Sequence, residues 1–167
     1  MNILRETLNF NLFFYKNLNI KTIKWIELVL GEKIKIPHCW KILAIKEGNL
    51  NVLKWFVFRD KNCFSDEKYE YLRVSISFDK IHVLKYICFQ NLPCEWSKDH
   101  CYFAVIRNNL KILKWLRSQN PPCPWNKTDC LNLCESEEMR KWILNQEEMK
   151  PFEKENVIFF KKEDDYI

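Results

Sequence analysis

Residues 104–129 read AVIRNNLKILKWLRSQNPPCPWNKTD, and the dipeptide in the middle of that stretch, Lys114-Trp115, recurs along the chain. The other copies are Lys24-Trp25, Lys54-Trp55, Lys85-Tyr86 and Lys141-Trp142, so that the five stand 30, 31, 29 and 27 residues apart. Lys68-Tyr69 is the one further Lys-aromatic dipeptide, so the register is not a product of composition. A fixed period of about 30 residues marks one supersecondary unit copied along the chain, each copy burying its apolar face against the next.

The columns around the aromatic residue support this. One position after it stand Ile26, Phe56, Ile87, Leu116 and Ile143. Two before it stand Ile23, Leu53, Leu84 and Leu113, with Arg140 in the last copy; three before it come Thr22, Val52, Val83, Ile112 and Met139. Five before it are Ile20, Leu50, Ile81 and Leu110, then Glu137. This is the stripe of an amphipathic helix, with the lysine turned outward. Eleven residues upstream of the aromatic, Phe14, Ala44, Ser75, Ala104 and Leu131 mark a second, shorter helix. Each unit is therefore helix, tight turn, helix, loop.

Turn chemistry agrees. Glu47-Gly48-Asn49 and Arg107-Asn108-Asn109 fall between the helices of the second and fourth units, and Gly and Asn accept the left-handed backbone that ends a helix sharply. The loops carry Cys63-Phe64-Ser65, Cys94-Glu95-Trp96 and Cys123-Pro124-Trp125, eight residues after the aromatic. Ser65, Ser97 and either Asn126 or Thr128 are the expected N-caps of the short helices. Pro93, Pro121, Pro122 and Pro124 sit in these loops and outside the expected helices.

With its leucine-lysine-tryptophan core and cysteine-proline-tryptophan loop, the stretch from Ala104 resembles the ankyrin repeat, in the divergent form common in large DNA viruses and some eukaryotic microbes. The resemblance spans roughly residues 8–146 and is sharpest over 40–130. The Thr-Pro-Leu-His start of the common ankyrin helix is absent from every copy. The resemblance implies an all-α solenoid of about five helix-turn-helix units over residues 1–146, the last a degenerate polar cap, followed by a charged and apolar tail over 147–167. It also implies a monomeric, non-catalytic module that holds a partner protein on a concave surface of short helices and loop tips. The matching exposed positions are His38, Lys46, Glu47, Tyr69, Lys98 and Arg107. A viral factor acting on host proteins fits the same resemblance.

Composition bounds the remaining readings. The chain has 167 residues, 47% of them hydrophobic, enough for one elongated domain. No apolar run reaches membrane-spanning length, and the apolar stretch at residues 9–15 lacks the form of a signal peptide. The cytoplasm, including that of an infected host cell, or the nucleus is the expected compartment. Only two glycines, Gly31 and Gly48, are present, so no phosphate-cradling loop can be built. The pairs His38-Cys39 and His100-Cys101 are sequence neighbours, which point apart on a helix. The expectation is no catalytic residue, no cofactor and no metal.

Eight cysteines invite a zinc reading, with Cys88, Cys94, Cys101, His82 and His100 in one group and Cys123, Cys130 and Cys134 in another. Their spacings lack the paired two-residue gaps of structural zinc sites, and the register explains Cys63, Cys94 and Cys123 as one column of buried thiols. Disulfides rank last, without a secretion signal. Six tryptophans fall in the core or loop columns, leaving Trp40, on the short helix of the second unit, as a candidate exposed anchor for a partner.

The net charge is +5, and residues 147–167 hold seven acids and four bases, so the array carries about +8. Lys24, Lys54, Lys85, Lys114 and Lys141 form a row on the outer side of the longer helices. A solvated outer face accounts for it; the alternative is a ridge that binds nucleic acid or an anionic surface. No nucleic-acid signature accompanies the row. In the tail, Val157-Ile158-Phe159-Phe160 either folds back on the last unit or docks elsewhere.

Overall fold

The computed structural model describes residues 19, 21, 22, 24, 28, 36–90 and 94–146. Most of the first expected unit and the whole tail lie outside these. The described residues form eight α-helices and no strand. They are α1 (His38–Glu47), α2 (Leu50–Arg59), α3 (Lys68–Ser77), α4 (Ile81–Gln90), α5 (Lys98–Ile106), α6 (Leu110–Arg117), α7 (Lys127–Leu133) and α8 (Glu137–Leu144). No described helix is long and apolar enough to cross a membrane.

Consecutive helices pair as hairpins: α1 with α2, α3 with α4, α5 with α6 and α7 with α8. The first helices also pack in series, α1 on α3, α3 on α5 and α5 on α7, whereas the second helices approach one another far less closely.

One turn is repeated three times. Gly48, Asp79 and Asn108 take left-handed backbones with φ of 74°, 54° and 51°. In each copy the next residue's amide reaches back to the first helix: Asn49 N to Ala44 O at 2.9 Å, Lys80 N to Ser75 O at 2.8 Å and Asn109 N to Ala104 O at 2.8 Å. The left-handed residue itself donates to Ile45, Ile76 or Val105. This double closure satisfies carbonyls that a helix end would otherwise leave orphaned. Asp79 was not singled out from sequence; a short polar side chain tolerates this backbone where glycine is absent.

Side-chain caps start most of the helices. Asn49 accepts from Val52 N, Asn109 from Ile112 N, and Ser136 from Met139 N. Ser97 and Asn126 cap α5 and α7 as expected. Ser65 does not cap α3, which begins at Lys68; its hydroxyl instead donates to Asn62 O at 2.7 Å within a longer turn.

The core follows the columns. Val52, Leu53, Phe56, Val83, Leu84, Ile87, Ile112, Leu113, Leu116, Met139 and Ile143 are fully buried, as are Ala44, Ser75 and Ala104 on the first helices. Close contact between first helices requires such small residues. Ser75 satisfies its buried hydroxyl by donating to Tyr71 O and Leu72 O. The aromatic column behaves differently from a fully buried core: Trp55, Tyr86, Trp115 and Trp142 are partly exposed and pack against the core from its rim. Rings of this size rarely fit wholly between two helix layers.

Candidate interaction surfaces

The first helices carry the residues expected to meet a partner. His38, Glu47, Tyr69, Lys98 and Arg107 are exposed and Lys46 is half-buried. Trp40 must be corrected: it is only 5% exposed and belongs to the core cluster, so it is no surface anchor. Its position alone did not reveal which side of α1 it occupies.

Several of these side chains tie one unit to the next. His38 Nδ1 lies beside the Glu67 carboxylate and 3.1 Å from the Tyr71 hydroxyl. The Tyr69 hydroxyl donates to Asp99 at 3.1 Å, and the Tyr102 hydroxyl donates to Asp129 at 3.0 Å. Burial and the neighbouring Asp129 push the Tyr102 phenol up to about 12, so it stays a donor at neutral pH. The Lys46 ammonium stands 5.2 Å from the Phe78 ring centroid, and the Arg73 guanidinium 5.7 Å from that of Phe103. Arg73 also grips Glu70 through two bonds of 2.7 and 2.5 Å, which hold that carboxyl below its ordinary range.

The loops are clamped through the carbonyl of the cysteine column. Lys41 Nζ donates to Cys63 O at 2.5 Å. Arg117 donates to Cys123 O at 2.5 Å while its guanidinium stacks 4.5 Å from the Trp125 centroid. In the third unit the position equivalent to Arg117 is Cys88. There Cys88 and Cys94 are in disulfide contact, with Cα atoms 5.6 Å apart. Two and eight residues after the aromatic, the helix end and its own loop bring these two sulfurs together, an approach that the cysteine column did not display. Of the other thiols, Cys39 is half-buried and the rest are buried as expected. Cys63, Cys101, Cys123, Cys130 and Cys134 are buried, and burial pushes Cys63 up to about 11 and Cys130 to about 12. Among the described residues, no three His, Cys, Asp or Glu side chains converge as metal ligands.

His100 is wholly buried. Its Nδ1 lies 3.0 Å from Ser97 N, which completes a capping box, and 3.1 Å from Ser97 O. No hydrogen bond of ordinary geometry reaches Nε2, although the Tyr69 backbone lies near enough to favour the charged ring. Burial outweighs that influence and lowers the pKa.

On the second helices, Lys24, Lys54, Lys85, Lys114 and Lys141 are all exposed. Two have protein contacts. Lys85 Nζ stands 5.8 Å from the Trp115 centroid of the next unit, and Lys141 Nζ is 4.0 Å from Glu137. Four residues after the first three lysines come Leu28, Phe58 and Phe89, exposed by 84%, 82% and 60%. The sequence reading passed over this row; its signal was the four-residue offset from lysine, which places both on one helix face. No protein-family model, curated protein or solved structure matches the chain.

Proposed function

We propose that the chain is a non-catalytic protein-interaction module, an ankyrin-like α-solenoid that holds a partner protein on the face of its first helices. The supporting observation is the serial packing of α1, α3, α5 and α7, with the second helices standing farther apart. Units packed more tightly on one side generate curvature, with the first helices on the inner side. That side offers His38, Glu47, Tyr69, Lys98 and Arg107 from successive units. Ties such as Tyr69–Asp99 and Tyr102–Asp129 hold it in one arrangement, so little ordering cost remains at binding. The resemblance to viral arrays extends this proposal to host proteins as the partner class and the host cytoplasm as the place of action.

A second reading, a basic ridge for nucleic acid or anionic surfaces, draws on the exposure of all five row lysines. Against it, Lys85 is spent on a tryptophan ring and large apolar residues alternate with the first three lysines. Capture from cell lysate by the tagged full chain, with and without nuclease, separates the two. A discrete protein retained after nuclease supports the module; recovery that collapses with nuclease moves the function to the ridge.

A further inference from the structure

The lysine row and the apolar row share one outer face. In the second unit Lys54 and Phe58, and in the third Lys85 and Phe89, stand one helical turn apart, and all are exposed. Lys24 and Leu28 repeat the pattern in the first unit. In the fourth and fifth units the position of Phe58 and Phe89 is taken by Ser118 and Asn145, while Lys114 and Lys141 persist. The face is thus basic along its length and most apolar over its first three units, with Leu144 also exposed beside Lys141. Large apolar side chains left exposed at one repeated position, each one turn from a lysine, are the feature of this face that a docked segment would cover.

We infer that residues 147–167 of this same chain dock on that face, running back from α8 along the second helices. The segment reads EEMKPFEKENVIFFKKEDDYI and carries a net −3 against +8 on the array. Its order matches the face met on the way back. Glu147, Glu148, Glu153 and Glu155 come first, opposite the lysines of the fourth and fifth units; Val157-Ile158-Phe159-Phe160 follow, where Phe89 and Phe58 begin. Packed helices lie 8–10 Å apart and the second helices stand somewhat farther, which puts Phe89 at least roughly 20 Å and Phe58 at least roughly 30 Å from the end of α8. Ten residues of extended chain before Val157 reach about 33–36 Å. The docked segment buries the phenylalanines and pairs its acids with the row lysines.

The test uses the full chain with Phe159→p-benzoylphenylalanine, irradiated at low protein concentration, with cross-linked peptides identified by mass spectrometry. Cross-links within one chain to peptides of α2 and α4 around Phe58 and Phe89 are expected. Combining F58S, F89S, K54E and K85E should cut their yield at least roughly five-fold, the equivalent of about 1 kcal/mol. These four positions are exposed, so the circular dichroism spectrum should not change. Cross-links to α7 or α8, a cross-linked dimer, no cross-link at all, or a yield unaltered by the four substitutions overturns the inference. Such a result leaves the first-helix proposal untouched, because it concerns the opposite side of the hairpins.

Discussion

Replacing Gly48 by alanine tests the register of the array at one atom. Gly48 ends α1 with φ of 74°, and its carbonyl lies 3.1 Å from His82 Nε2 in the next hairpin. A Cβ at this position would lie 3.1 Å from His82 Nε2 and 3.1 Å from Lys80 Cδ. The left-handed backbone alone costs a residue with a Cβ about 1–2 kcal/mol. Alanine recovers part of that by restricting the unfolded chain, roughly 0.4–1 kcal/mol. Crowding against two side-chain ends, and displacement of the His82 contact, restores a comparable amount, about 0.5–1.5 kcal/mol. The expected net loss is about 1–2 kcal/mol, which for a chain of this size lowers the Tm by roughly 3–6 °C. Urea unfolding followed by circular dichroism measures it directly. In a His82→Ala background the same glycine substitution should cost less, because the two sites touch across the hairpin boundary. Asn108→Gly, in the equivalent turn, should change stability by no more than about 0.5 kcal/mol. A Gly48→Ala protein as stable as the parent, or a loss unaffected by His82, would refute the repeated turn as described.

Other consequences follow from the core and its titrating groups. Leu84→Ala and Leu113→Ala, at fully buried positions of one column, should each cost about 2–5 kcal/mol in urea unfolding. Arg140→Ala, in the same column but only partly buried, should cost less than either; the reverse order would break the column. Burial raises Cys63 to about 11 and Cys130 to about 12 from an ordinary 9.0. Their neutral thiols therefore favour the folded state fully below pH 9, and that contribution is lost as pH rises toward those values. Native protein at pH 8 should resist iodoacetamide at both residues until denatured, and rapid labelling would contradict their burial. His100 has a lowered pKa, so the unfolded chain binds its proton more readily. Stability should fall as pH drops below about 6.5, and His100→Leu should flatten that dependence. An unaltered pH profile would show that His100 is not the titrating group.

The repeat, the order of helices and the fully buried columns were legible because each rests on a signal copied several times. Ile112, Leu113 and Leu116 read as one stripe in a single unit and as architecture in four. The turns were half legible: Gly48 and Asn108 announce a left-handed backbone, whereas Asp79 does so only after alignment with them. Trp40 was misplaced because its column, fifteen residues before the aromatic, holds three different rings, Trp40, Tyr71 and His100, so that their shared burial does not show as a repeated residue type. The Cys88–Cys94 contact was hidden for a related reason. Cys94 reads as one more member of the loop column, and only the helix end places Cys88 opposite it. The inter-unit pairs Tyr69–Asp99 and Tyr102–Asp129 have separations near the period but fall at different positions of the unit, so no column displays them. The exposed Leu28, Phe58 and Phe89 stand in register, but apolar residues at a helical offset from a buried stripe read as part of that stripe until their exposure is known.

The central claim is that the first-helix face binds a protein. Its most direct measurement is the affinity of the captured partner, by calorimetry at physiological salt, for three full-length proteins. These are the parent, a Lys98→Glu/Arg107→Glu variant of the first helices, and a Lys54→Glu/Lys114→Glu variant of the outer row. The first-helix variant should weaken binding at least roughly ten-fold, a loss of about 1.4 kcal/mol, while the outer-row variant stays within about two-fold of the parent. Binding that survives the first-helix substitutions and fails with the outer-row ones would contradict it.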